Sequence, residues 1–296
     1  MMTVGSRTTE EIKKPRFQWK RWHVITLIVT AGLLLRLWAA WQLPVDADEP
    51  VYMHAGAGYA EFIKAGDWNG LIDYNYNREH PALVKVIYAL PFLILEPQVG
   101  ESVEYDFNRL VNVLFGTLAV LVLALADPIA GAFLAFDTMV IKYTSEVYLE
   151  AIPLFFTLVC VLALERALIP NQKSRWFWIS AAALGAAGAG KNIYLLIGFV
   201  VVFMLITQRK YDWRQVILYF LAAIGVFFIL NPSMWHDPFG TLLSTVNFHS
   251  NYTQSLDVKL ANYPWYQPFS WIAASVPWHE QVFFFPSSDE IVFFLS

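Results

Sequence analysis

The residues able to do chemistry in this chain fall into a few short stretches. Asp46-Ala-Asp48-Glu49-Pro-Val-Tyr52 sets carboxylates beside a phenol, and Arg78-Glu79-His80-Pro81 follows with Lys85. Asp137, Glu146 and Glu150 come next, then Lys191, then Trp235-His236-Asp237-Pro238. Carboxylates among cations are what a site handling a lipid phosphate needs. Cations neutralise the phosphate, and a carboxylate takes the proton from an incoming hydroxyl. Plainer readings stand beside this one. Asp48-Glu49 also fits a solvated stop after a membrane span, and Arg78 and Lys85 also fit long side chains reaching for headgroups. Glu150, inside YLEAIPLFF, is harder to read that way, because an ionisable group in an apolar run usually lines a cavity or pathway.

Other chemistries find little support. His80, His236, His249 and His279 show no HxxxH or HxH spacing, so no cofactor is assigned and a divalent cation stays open without a ligand motif. His23 and His54 read as interfacial or surface residues. The single cysteine, Cys160, lies in an apolar run, which excludes an intrachain disulfide and suits a buried thiol. Gly185, Gly188 and Gly190 read as close helix packing. No GxxxxGK[ST] and no strand–GxGxxG–helix context occurs, so a nucleotide-binding domain is not expected. A net charge of −4 and a pI near 5.9 exclude a broad basic face, and with it a nucleic-acid partner.

The elements that must position these residues are membrane helices. Of 296 residues, 57% are hydrophobic and only 15% charged, too thin a coat for a soluble domain, and the mean hydropathy is +0.46. The expected fold is an all-α, polytopic transmembrane bundle of about seven spans. They lie near 22–43, 109–126, 129–143, 146–165, 176–190, 192–207 and 213–231. The first span reads as uncleaved, since it is long for a signal peptide and no small-x-small cleavage site follows it. Arg36 within it calls for an acidic partner in the bundle. Basic residues gather at 1–21, 166–175 and 208–214, and such loops belong in the cytoplasm. Keeping all three on one side requires an even number of crossings between the first two. The apolar stretch 81–95 must then lie along the outer interface or re-enter. That parity puts the carboxylate stretches, Lys191 and everything after Asn231 outside. The organisation is a cytoplasmic tail (1–21), a transmembrane core (22–231) with an outer loop at 44–108, and an outer loop with the truncated start of a further span (232–296).

At this point the chain resembles the polytopic glycosyltransferases of the GT-C superfamily. It is most similar to the protein O-mannosyltransferases and their bacterial relatives, the aminoarabinose transferases acting on lipid A. Four motifs carry the resemblance in order. They are a basic N-terminus and one span followed by Asp48-Glu49 and Tyr52; His80-Pro81-Ala-Leu-Val-Lys85, similar to HPPLGK; Phe136-Asp137 with Glu150 downstream; and Gly185 to Lys191, a glycine-rich helix ending in lysine. Asn231-Pro-Ser-Met-Trp-His-Asp-Pro238 resembles the segment that follows. The departures are Ala82 and Val84 in the second motif, Glu150 in place of Asp, a missing arginine after Asp137, and a short turn at 126–130.

The resemblance implies transfer of a sugar, hexosyl or pentosyl, from a polyprenyl- or dolichyl-phosphate donor to a protein or glycolipid hydroxyl at the outer face of a prokaryotic plasma membrane. Asp48 would be the general base, supported by Glu49. Arg78, Glu79, His80, Lys85, Glu150 and Lys191 would hold the donor and its phosphate. Tyr52 and Trp265 would be near enough to touch a sugar. Two other readings remain. Such enzymes continue with further spans, whereas this sequence stops at Ile291-Val-Phe-Phe-Leu-Ser296, as a truncated, inactive remnant would. A polytopic transporter would instead distribute its charges through the bilayer midplane and use paired broken helices.

Overall fold

The structure, a computed structural model, describes residues 20–94, 101–171, 173–261 and 264–266. The basic tail before Lys20, His279 and the final apolar stretch lie outside the described residues. Among the described residues there are helices and no strands. In chain order they are α1 (Arg21–Gln42), α2 (Glu49–Ala65), α3 (Trp68–Asp73), α4 (Leu83–Ile94), α5 (Glu101–Ala126), α6 (Pro128–Phe136), α7 (Thr138–Tyr143), α8 (Ala151–Leu168), α9 (Arg175–Gly190), α10 (Ile197–Gln208), α11 (Trp213–Ile229), α12 (Pro238–Tyr252) and α13 (Leu256–Ala261).

Among the described residues, α1, α8 and the 106–126 part of α5 are long and apolar enough to cross a bilayer. The helices α4, α10 and α11 are apolar but shorter. The protein is an integral membrane protein. Large side chains such as Phe199, Phe203 and Leu221 stand exposed on α10 and α11, as lipid-facing residues do. The stretch 129–143 is not one span. Asp137 has extended backbone and breaks it, accepting a hydrogen bond from Val140 N (2.8 Å) and so capping α7. At nine residues, α6 rises roughly 14 Å, about half the hydrocarbon thickness.

That break explains Arg36. Its guanidinium is fully buried and meets the open C-terminal end of α6, donating to Leu134 O (3.1 Å) and Ala135 O (3.4 Å). It also donates to Gly32 O and to Thr144 Oγ1 (2.9 Å). The hydrogen bonds go to helix-end carbonyls, whose unsatisfied lone pairs and partial negative charge suit a cation, while Asp137 at the break supplies the acidic charge expected from sequence. Gly116 lets α5 approach this knot: a Cβ there would lie 2.6 Å from Thr144 Cβ and 2.9 Å from Arg36 Nε.

The second half of the bundle packs on small residues. The α8–α9 hairpin and α11 enclose Cys160, Ser180 and Tyr219, with Ser180 Oγ 2.7 Å from Tyr219 OH. Gly185 is close-packed as expected, since a Cβ on it would stand 2.2 Å from Ala223 O of α11. Within the stretch 81–95, Leu83–Ile94 form α4, which packs chiefly on α2. Asn231, just past α11, fixes its start by accepting from Ala82 N (2.6 Å) while donating to Phe227 O (2.8 Å).

Charge divides the two ends of the bundle. At one end Arg21 donates to Leu125 O and Ala126 O, and Lys210 donates to Ala167 O and Ile169 O. These cations cap the C-termini of α5 and α8. At the other end the carboxylates gather where α1, α9 and α11 finish and α5 and α8 begin. The two sets of charges lie at opposite ends of the bundle, and the loop charges lead us to expect the acidic end outside. With single cysteines at exposed Val45 and Lys173, V45C and K173C, a membrane-impermeant maleimide applied to sealed cells should label the first and spare the second. Equal labelling would break the assignment.

Candidate active site

The acidic end is built on one buried ion pair. Glu49 opens α2 and Arg109 lies near the start of α5, 60 positions later in the sequence, yet the two are in bidentate contact. Arg109 Nε donates to Glu49 Oε2 (3.0 Å) and Nη2 to Oε1 (2.5 Å). Arg109 Nη1 donates to Ala40 O and Leu43 O, each at 2.8 Å, and Nη2 to Pro44 O (3.0 Å). All five of its N–H bonds are used, capping the C-terminus of α1 as they bind the acid. Glu49 is equally complete. Beyond Arg109, its Oε1 accepts from Asp46 N (3.0 Å) and its Oε2 from Val147 N (2.9 Å). A carboxylate has about four lone-pair positions, and here each is occupied. A share in the base's work, expected of Glu49, does not fit this placement: no lone pair is left for a substrate.

Asp48, its neighbour, has the opposite surroundings. Its side chain is exposed at the N-terminus of α2, with Tyr148 OH 3.4 Å from Oδ2. The Tyr148 hydroxyl donates more closely to Asp46 Oδ1, at 2.6 Å, and Lys142 Nζ lies 3.1 Å from Asp46 Oδ2. Burial pushes the Asp46 carboxyl upward, but Tyr148, Lys142 and the Asp48 amide outweigh it, leaving it below its ordinary value. Asp46 is thus a held anion, while Asp48 presents an oxygen outward. The loop carrying Tyr148 is pinned from below. Asn112 of α5 donates to Glu146 O and, at 2.7 Å, to Tyr88 OH of α4, which donates to Tyr148 O.

Glu150 and Lys191, two of the expected site residues, meet as an ion pair between the first turn of α8 and the last of α9. The Tyr52 hydroxyl lies in the field of Asp48, Glu150, Glu79 and Asp46; burial first, then these charges, raise its pKa. Tyr52 is itself buried, its ring 5.8 Å from that of Tyr148 and 6.2 Å from that of His80. It therefore organises the site from beneath. Trp265 is exposed.

The second motif splits. Lys85 is fully buried and donates to Tyr76 O (3.0 Å), Asn77 O (2.9 Å) and His80 O (2.8 Å). Its three hydrogens fold the 76–80 turn around it, so the donor-phosphate contact expected of Lys85 does not fit. Burial lowers its pKa to about 7, with Glu79 opposing; the three carbonyls match the protonated form, which has three N–H bonds to give. His80 is half-buried, and burial first, then Lys191, Lys85 and His249, lowers its pKa to about 3. It is a neutral imidazole at neutral pH. Glu79 accepts from Asn77 Nδ2 (2.7 Å). Arg78, exposed, lines a small cleft with His80, Asn192 and Thr241 among its polar residues and Pro81, Phe227 and Leu242 among its apolar ones. An apolar groove with Leu71, Leu83, Val86, Ile229 and Trp235 in its walls runs beside it. His236 pairs with Asp73 on the surface, and among the described residues no three His, Cys, Asp or Glu side chains converge as a metal-ligand set.

No family model and no curated protein matches the sequence. Solved structures do. The S. cerevisiae protein O-mannosyltransferase Pmt1–Pmt2 complex bound to the sugar donor aligns at a TM-score of 0.52 and 16% identity, over 79% of this chain and 34% of that one. Over the aligned part, the chain shares the fold of that membrane protein. It spans about a third of the length of that mannosyltransferase chain. ArnT from Cupriavidus metallidurans bound to undecaprenyl phosphate aligns more loosely, at a TM-score of 0.49 and 20% identity, over 73% of this chain and 42% of that one.

Within this fold, Arg109, Lys142 and Tyr148 build the acidic end, and motif reading passed over them. Lys142 stands between Asp137 and Glu150, where the resemblance leads one to look for an arginine; a charge in the apolar 138–143 stretch was the available signal. Arg109 and Tyr148 carried no local signal. Removing one member of a buried, hydrogen-bonded ion pair costs roughly 3–5 kcal/mol. Arg109→Met should lower the thermal unfolding midpoint in detergent accordingly, and the double variant E49M/R109M should recover part of the loss.

Proposed function

We propose that the acidic end is the active site of a glycosyltransferase that moves a sugar from a polyprenyl- or dolichyl-phosphate donor to a hydroxyl on a protein or lipid. The observation that carries this reading is the contrast between Asp48 and Glu49. On a GT-C-type fold, at the point where α2 begins, one carboxylate is consumed by structure and its neighbour is offered outward beside a tyrosine. The split of basic and acidic residues between the ends supports an outer-face site with the N-terminus in the cytoplasm, and the setting proposed is a prokaryotic plasma membrane.

In this reading Asp48 takes the proton from the acceptor hydroxyl as its oxygen bonds the anomeric carbon. The carbon–oxygen bond to the donor phosphate breaks in the same displacement, releasing the lipid phosphate and inverting the anomeric centre. The leaving group is an anion already, so cationic and N–H donors that receive it matter more than a general acid. Arg78, exposed at the mouth of the small cleft, and His80 would receive the phosphate, and the apolar groove of Leu71, Leu83 and Ile229 would take an isoprenoid chain. Glu79, Glu150 and Lys191 order this rim, with Lys191 adding positive charge toward His80. Glu49 and Lys85 act one layer back, holding the backbone that carries Asp48 and His80.

General-base catalysis contributes on the order of 10²–10⁴-fold. Asp48→Asn, which leaves the hydrogen-bonding shape nearly intact, should cut transfer from a labelled lipid-linked sugar in membranes by about 100-fold or more. Full retained activity would remove Asp48 from the role.

A further inference from the structure

Glu146 is a charged group at the acidic end to which the proposed reaction gives no task. It is almost fully buried, and its Oε2 has no hydrogen-bond partner while lying 3.7 Å from Lys142 Nζ. A contiguous series leads from it to the candidate base. Glu146 faces Lys142, Lys142 reaches Asp46 Oδ2 (3.1 Å), Tyr148 OH donates to Asp46 Oδ1 (2.6 Å), and the same hydroxyl stands 3.4 Å from Asp48 Oδ2. Tyr148 has one proton to give, and Asp46 holds it because the contact is shorter.

We propose that Glu146 is a positioning residue whose protonation sets how strongly Lys142 neutralises Asp46, and through Tyr148 how basic Asp48 is. The proposal rests on Asp48 being the base of the proposed reaction. The charged groups facing Glu146 are Lys142 on α7, Glu49 on α2, Asp46 in the loop before α2, and Arg109 on α5. Burial first, opposed by Lys142 and reinforced by Glu49 and Asp46, raises its pKa to about 8. Arg109 is committed to Glu49, which leaves Lys142 as the cation Glu146 competes for. While Glu146 is protonated, Lys142 gives its charge to Asp46. Once Glu146 ionises, Lys142 faces two carboxylates, Asp46 is less neutralised, and the added negative charge strengthens Asp48 as a proton acceptor.

The sign follows. Transfer should rise about threefold as pH climbs through 8, from the greater basicity of Asp48. Two measurements on the full chain separate this proposal from the function it rests on. The first is pH-difference infrared spectroscopy in detergent between pH 6 and 9. A protonated-carboxyl band should disappear with rising pH, and the carboxylate band identified by its loss in D48N should shift in the same step. Both changes should vanish in E146Q and persist in E146D. Absence of the carboxyl band, or an Asp48 shift that survives in E146Q, overturns the coupling whether or not any sugar is transferred. The second is the pH profile of transfer, in which the alkaline rise should be lost in E146Q and kept in E146D. A rise unchanged in E146Q overturns the positioning role even if the infrared coupling is seen. Absence of transfer in every form, with the infrared coupling intact, would count against the glycosyltransferase reading alone.

Discussion

The bidentate contact between Glu49 and Arg109 is the interaction on which the acidic end depends. It joins the start of α2, the end of α1, the start of α5 and the loop before α8 in one saturated set of hydrogen bonds. A buried ion pair of this kind gains little net stability over an apolar core, but it is intolerant of any other arrangement, since each group left over would be unpaired and desolvated. Its effect is geometric. With Glu49 locked inward, helix periodicity turns Asp48 outward, and with Val147 N tied to Glu49 the Tyr148 hydroxyl arrives beside Asp46 and Asp48.

The same device recurs throughout the bundle. Arg36 answers the carbonyls at the end of α6, Lys85 those of the 76–80 turn, Arg21 the end of α5, and Lys210 the end of α8. Within a membrane no water is at hand for the last carbonyls of a helix. A cation there satisfies lone pairs and opposes the helix dipole at once. Charged residues in an apolar sequence therefore divide into those consumed by backbone and those left for chemistry, and in this protein the consumed class is large.

That division sets the limit of what could be read from the sequence. The all-helical membrane fold, the separate role of 81–95 and the close packing at Gly185 were legible, because they follow from hydropathy and small-residue packing. The gathering of Asp48, His80, Glu150 and Lys191 at one end followed from loop charge and the motif order. The roles within the cluster were not legible. Whether Asp48 or Glu49 is turned inward depends on Arg109, far along the chain, and Lys85 is captured by carbonyls that have no side-chain signature. Arg36 called for an acidic charge, which Asp137 supplies, but the α6 carbonyls that take its hydrogen bonds were not foreseen because the break at Asp137 was hidden in a continuous apolar run. Lys142 and Tyr148 were overlooked for the related reason that they read as parts of two membrane spans, 129–143 and 146–165, whereas α7 and the loop before α8 pack against the acidic end.

The central claim is that the Glu49–Arg109 pair holds the segment presenting Asp48. Hydrogen–deuterium exchange on the detergent-solubilised Glu49→Gln variant tests it most directly. Faster amide exchange should appear at 44–52 and 145–150, with the basic end at 166–175 and 209–214 unchanged. Exchange at 44–52 and 145–150 indistinguishable from the unsubstituted protein would contradict the account.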